Sequence, residues 1–269
     1  MKKISAFLLA VLLLFLCACG KKTQPQTTQA APNTVTVMFP EGKTVYQIAQ
    51  LLEQNGVCSA ADFVQAVNQS DSAFALPLQG RTRAFLLEGY VFPDTYEFYK
   101  NESAQTALSR FLNNTERKLT DAYKARAAEL GMTMDEVLTL ASIIQAEAGI
   151  HSEMKTVSSV LHNRLDSGMM LQCDVTYYYL ERNVMAYLCP DGWDDEVYET
   201  YAPLYYTYRF AGLPEGPICN PGVAAIEAAL YPEDTEYLYF VTDKQGAFHY
   251  SATFAEHEKV CAAIQNSEG

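Results

Sequence analysis

"TMDEVLTLASIIQAEAG", residues 133–149, reads as a helix with an unusual end. Thr133 followed by Glu136 is a capping box, and Asp135 and Glu136 suit the positive start of a helix. Val137, Leu140, Ala141, Ile144 and Ala148 recur at helical spacing and predict one buried stripe. Glu147 borders that stripe, just before Gly149. From this stretch alone two roles are open to it. One is a boundary residue with its tip in water. The other is an acid whose charged form is poorly solvated, raised in pKa toward neutrality and able to protonate a leaving oxygen.

On the N-terminal side, "TVTVMF" (34–39) alternates and is β-branched, which predicts a strand. Thr44 caps a helix carrying Val45, Ile48, Ala49, Leu51 and Leu52, closed by Gly56, and Ser59 caps a second over 59–69. "TYEFY" (95–99) is the expected return strand, and 70–94 reads as loop. Residues 103–130 read as one long helix ended by Gly131. On the C-terminal side, a helix is expected near 153–167, then a long Tyr-rich, Pro-punctuated loop over 169–222. A short helix at 222–232, a hairpin over 237–253 turning at Lys244-Gln245-Gly246, and a closing helix complete the chain. The fold class is α+β: a small module followed by a mixed helical domain with a β-hairpin.

The opening "MKKISAFLLAVLLLFLCACGKK" has a basic start and an apolar stretch of 13 residues, Ile4–Leu16. A spanning helix needs about 20, so the stretch suits a secretory signal. Leu16-Cys17-Ala18-Cys19 resembles a bacterial lipobox, which implies lipidation of Cys19 after removal of residues 1–18. Residues 19–34, polar and rich in Thr, Gln and Pro, read as a flexible tether. Together these place the body on the extracytoplasmic face of a bacterial membrane, held through a lipid anchor.

With 269 residues, 49% of them hydrophobic, the chain can bury a substantial core. A formal charge of −13 argues against nucleic-acid binding. Eighteen tyrosines either fill strands and loops or stack on sugar rings. The four His show no HExxH spacing, and Cys58, Cys173, Cys189, Cys219 and Cys261 form no CxxC pair, so neither metal nor cofactor is expected. Whether any of these five cysteines pair is open. No GxSxG is present.

Several segments follow one another in order: "LLEGYVFPDTYEF" (86–98), "LASIIQAEAG" (140–149), "VSSVLHNRLDSGMMLQCDVTY" (157–177), "YYTYRFAGLPEGPICNPGVAAIEAAL" (205–230) and "TEYLYFVTDKQGAFHYSATFAEHE" (235–258). This series resembles the MltG/YceG-like endolytic murein transglycosylases, over roughly residues 35–260. The resemblance implies a LysM-like module over 35–100 and a catalytic domain over 101–266. It implies peptidoglycan glycan strands as substrate, cut at the β-1,4 bond from N-acetylmuramic acid to N-acetylglucosamine. One Glu, here Glu147, gives its proton to the departing oxygen and then takes one from the 6-hydroxyl that closes on C1. A 1,6-anhydro end results, with no water and no second carboxylate, unlike most glycosidases.

As further site residues the resemblance implies Asn163, Gln172, Asp174, Tyr206 and Asn220. Asn163 and Arg164 bind substrate or serve capping and pairing. Gln172 hydrogen-bonds N-acetyl groups, and Asp174 stabilises positive charge at C1. Asn220-Pro221-Gly222 forms a cleft wall or a plain turn. The chain departs from the family pattern at Gln145 (often Glu), Val175 (usually Pro), Tyr206 (usually Asn) and Glu215 (commonly Pro). These departures keep two alternatives open: a hydrolytic muramidase, and a catalytically weakened peptidoglycan-binding lipoprotein. Partners in the wall-synthesis machinery are implied by the resemblance alone.

Overall fold

The computed structural model describes residues 33–267 apart from Ile150. The signal segment, most of the tether and Cys19 lie outside the described residues. From Thr34 onward the described residues form one compact unit, and the expected boundary near residue 100 runs through it.

Strand β1 (Thr34–Met38) pairs antiparallel with β2 (Thr95–Tyr99), with Val35 opposite Phe98 and Val37 opposite Tyr96. Between them lie α1 (Val45–Gln54) and α2 (Ala60–Asn68). Thr44 and Gln47 form a full capping box on α1, and the Ser59 hydroxyl accepts from the Asp62 N–H at the start of α2. Phe39, Tyr96 and Phe98 pack against Phe111 with centroids 4.4–5.8 Å apart, which seats the sheet on the next helix.

That next helix is two. Helix α3 (Ala104–Lys118) stops at Leu119, and α4 (Asp121–Glu129) restarts behind Thr120, whose hydroxyl accepts from the Tyr123 N–H. A Thr followed by Asp is itself a helix-start signal, and here it overrides the continuous apolar pattern. Next come α5 (Met134–Glu147) and α6 (Met154–Asp166). The expected single stripe on α5 is corrected: all eight residues from Val137 to Ile144 are buried, so the helix is enclosed on every side. Its polar residues are satisfied inside. The Ser142 hydroxyl donates to the Thr139 carbonyl and accepts from the Ile218 N–H.

The stretch expected as a long loop is largely helical: α7 (Asp174–Tyr179), a π-helical segment (Leu180–Met185), α8 (Ala186–Leu188) and α9 (Asp195–Tyr205). Its tyrosines serve as helix-packing residues, with Tyr179 and Tyr205 buried against each other, 5.4 Å between centroids. Helix α10 (Val223–Leu230) packs on α5, the hairpin β3 (Tyr239–Thr242) and β4 (Phe248–Ser251) follows, and α11 (Phe254–Ser267) closes the described chain.

A buried polar knot ties the first elements to the rest. The fully buried Glu88 carboxylate accepts from the Val45 N–H (2.9 Å) and from Asn220 Nδ2 (2.9 Å). Asn220 also donates to the Lys43 carbonyl (2.9 Å) and accepts from the Val91 N–H (2.8 Å). Thr44 Oγ1 donates to Asn183 Oδ1 of the π segment (2.7 Å). Burial pushes the Glu88 carboxyl up to about 8 despite its donors. A carboxyl raised in the fold favours its neutral form there, so its contribution to stability is complete at low pH and is lost as pH rises through 8. Glu88→Gln should therefore flatten the fall in melting temperature between about pH 5 and 8, read by thermal unfolding across pH.

Gly89 follows Glu88 with φ +87°, and a Cβ placed there would lie 2.5 Å from Pro217 Cγ. Gly89→Ala should cost about 2–4 kcal/mol in urea denaturation, combining left-handed backbone strain with overpacking.

Candidate active site

Beyond its buried middle, helix α5 surfaces again in its last turn, where Ala146 is exposed and Glu147 half-buried. Glu147 opens into a cleft of about 190 Å³ that is also lined by Arg164, Leu171, Gln172, Cys173, Asp174, Tyr208 and Phe240. Two larger depressions, of about 560 and 620 Å³, have neither Glu147 nor Asp174 in their walls. The small cleft is the candidate site, because it is where a perturbed carboxyl meets open space.

Burial pushes the Glu147 carboxyl up to about 7, and the neighbouring Asp174 carboxylate adds to the rise. The Cys173 thiol and the Val175 N–H oppose the shift by hydrogen bonding to it, without cancelling it. Asp174 lies at the exposed start of α7, where its Oδ1 accepts from the Tyr208 hydroxyl (2.8 Å). Loss of solvation, with that bond adding to it, pushes the Tyr208 phenol well above its usual range, so it remains a donor. Gln172 is exposed in the cleft wall and sits in the left-handed backbone region, φ +51°. Its N–H bonds the Thr207 carbonyl (3.2 Å), and the Cys173 N–H bonds Thr207 Oγ1 (3.0 Å). A buried threonine thus holds the strained turn that carries Gln172 and Asp174 to Glu147.

Of the residues expected at the site, Glu147, Gln172 and Asp174 come together. Tyr206 does not line the cleft. Its ring packs between Tyr177 (5.5 Å) and Tyr208 (5.3 Å) and so supports the Tyr208–Asp174 contact. Asn163 spends its amide donors on the Thr235 and Tyr237 carbonyls (2.8 and 2.9 Å), fixing the approach to the hairpin. Asn220 is fully buried in the knot described above and forms no cleft wall. For Asn163 and Asn220 the expectation of substrate contact is therefore replaced by a positioning role.

Arg164 does both. It borders the cleft, yet its guanidinium donates to the Leu238 carbonyl (2.6 Å) and the Leu171 carbonyl (2.8 Å), and lies 5.1 Å from the Tyr239 ring centre. It joins α6, the 170–171 turn and the hairpin.

Two of the departures have local explanations. Gln145 Oε1 accepts from the Gly222 N–H at the start of α10 (3.0 Å), a role an amide fills as well as a carboxylate. The Glu215 carbonyl accepts from Arg81 and Arg83, and its carboxylate pairs with Arg81 (3.6 Å), so both backbone and side chain of this position are gripped. Cys173, Tyr208 and Phe240 were not singled out from the sequence. Tyr208 closes the "YYTY" segment and Phe240 lies in the hairpin motif, so neighbourhood was the available signal. The five cysteines from Cys58 to Cys261 are free thiols, with Cys173 and Cys219 buried. Among the described residues no cluster of three or more His, Cys, Asp or Glu could hold a metal ion, and no helix is long and apolar enough to cross a membrane.

The YceG-like family model matches residues 21–263. The chain belongs to the YceG-like family. An endolytic murein transglycosylase of Bacillus subtilis (strain 168) is 33% identical over 64% of this chain and 46% of its own length. A protein of the same description from Streptococcus pneumoniae (strain D39) is 27% identical over 93% of this chain and 47% of its own length. The chain thus spans about half the length of these curated relatives. A crystal structure of a yceG-like protein from Listeria monocytogenes superposes with a TM-score of 0.69 at 30% identity, covering 86% of this chain and 76% of that one.

Arg164→Ala should cost about 2–4 kcal/mol in urea denaturation, since it strands buried carbonyls on two segments. Proteolysis should then begin near residues 169–173 and 236–238; cleavage confined to other loops would count against the joining role.

Proposed function

We propose that the protein is an endolytic peptidoglycan transglycosylase that cuts the β-1,4 bond from N-acetylmuramic acid to N-acetylglucosamine and leaves a 1,6-anhydro end. The observation that carries this reading is the half-buried Glu147 carboxyl, raised to about 7, facing an open cleft beside Asp174. Two relatives named endolytic murein transglycosylase support it.

In this reading Glu147, protonated near neutrality, donates to the glycosidic oxygen as its bond to C1 breaks and the bonding electrons leave with that oxygen. The positive charge developing at C1 faces the Asp174 carboxylate, which Tyr208 holds in place. The muramic acid's own 6-hydroxyl attacks C1, and its proton passes to Glu147, restoring the acid. Gln172 hydrogen-bonds an N-acetyl group. Tyr206, Asn163, Arg164 and Asn220 position these groups without touching the reacting atoms.

The β1-α1-α2-β2 part serves as a LysM-like wall-binding module. Cys19 carries the lipid, and residues 19–34 form the tether that lets the enzyme reach nascent glycan from the extracytoplasmic face of the cell membrane, near wall-synthesis proteins.

Mass spectrometry of purified peptidoglycan digested by the mature domain tests the reading. Anhydro-muropeptides are expected from wild type, with rates falling as pH rises past about 7 because the acid form of Glu147 is lost. Glu147→Gln should reduce release by at least about 10³-fold with the fold unchanged, since acid and base roles both vanish. Reducing ends would identify a hydrolytic muramidase. Equal peptidoglycan binding without any release would identify a weakened wall-binding protein.

A further inference from the structure

A second hollow, of about 200 Å³, lies at the C-terminal end of α5 and the start of α7. Its walls include Ala146, the chain neighbour of Glu147, and Val175, the chain neighbour of Asp174. Opposite stand Gly42 and Gln47 from the first module, with Tyr178 and Arg182. Arg182 is the only charged side chain among the described residues lining this hollow, whereas the candidate active-site cleft carries Glu147 and Asp174.

Arg182 is set in place by the backbone. It lies in the π-helical segment Leu180–Met185, a rare geometry that concentrates at functional sites. The same segment is pinned to the first module by Thr44 Oγ1 donating to Asn183 (2.7 Å). The Arg182 guanidinium lies 4.3 Å from the centre of the Tyr178 ring, which is itself exposed. Its ion pair with Glu181 is long, 3.7 Å, and open to solvent, so it competes weakly with an incoming anion.

The sugar backbone of peptidoglycan carries no charge at its rings. The anionic groups are the carboxylates of the stem peptides attached to the muramic acid lactyl groups. Resting on the glycan-cleaving reading above, we propose that this hollow is a subsite for a muramic acid bearing its stem peptide, and that Arg182, backed by Tyr178, binds a stem carboxylate. Cleavage would then favour strands whose stems are intact, and the first module would contribute directly to substrate selection through Gly42 and Gln47.

Calorimetric titration in the Glu147→Gln background tests this, using a soluble disaccharide-tetrapeptide and the same fragment with its stem carboxylates converted to amides. The carboxylate form is expected to bind more tightly. Adding Arg182→Ala should weaken it about tenfold, as loss of one charge-assisted contact does, with Arg182→Lys retaining part of the affinity. The amidated fragment should bind both backgrounds alike. Unchanged affinity in Arg182→Ala, equal loss for both fragments, or no binding of either would overturn the proposal. Anhydro-product release from whole peptidoglycan by wild type reads the cleavage reaction separately, so failure of the subsite and failure of the enzymatic reading are distinguishable.

Discussion

Eight consecutive residues of α5 are out of solvent, and the helix re-emerges in its final turn, where Glu147 stands beside the Asp174 carboxylate. A carboxyl in that position loses hydration when it ionises and gains a like-charged neighbour at the same time. Both effects hold its proton to higher pH, and everything else at the site is arranged around that one constraint. The Cys173 thiol and Val175 N–H favour the ionised form and so oppose the rise without cancelling it. A carboxyl poised near 7 serves acid and base steps alike.

The support for this arrangement is spread over the whole unit. Thr207 holds the strained turn at Gln172, the aromatic row of Tyr177, Tyr206 and Tyr208 backs Asp174, and Arg164 ties α6 to the hairpin that brings Phe240 to the cleft. The Glu88–Asn220 knot couples the first strand-helix module to the segment before α10. Thr207, Arg164, Glu88 and Asn220 are buried polar groups that find hydrogen-bond partners, which favours one arrangement of the elements over near alternatives.

Much of the local structure was legible in the residues. Thr44, Ser59 and Thr133 each announce a helix start, and the alternating β1 and the Lys244-Gln245-Gly246 turn announce strands and hairpin. Its own stretch left Glu147 open to two roles, and the ordered segments that resemble the YceG-like family singled it out as the acid. What was not legible depends on partners distant in sequence. An asparagine serves a sugar or a backbone carbonyl equally well, and only the fold shows Asn163 and Asn220 bonded to carbonyls. The helical run over 174–205 was hidden because tyrosines obscure a simple apolar period, and the break at Thr120 because the apolar pattern continues across it.

The carboxyl titration of Glu147, followed by carbon NMR in wild type and in Asp174→Asn, bears most directly on this account. A midpoint near 7 that falls when the neighbouring charge is removed is the predicted result. A midpoint at the ordinary carboxylate value near 4.5, unmoved by Asp174→Asn, would contradict it.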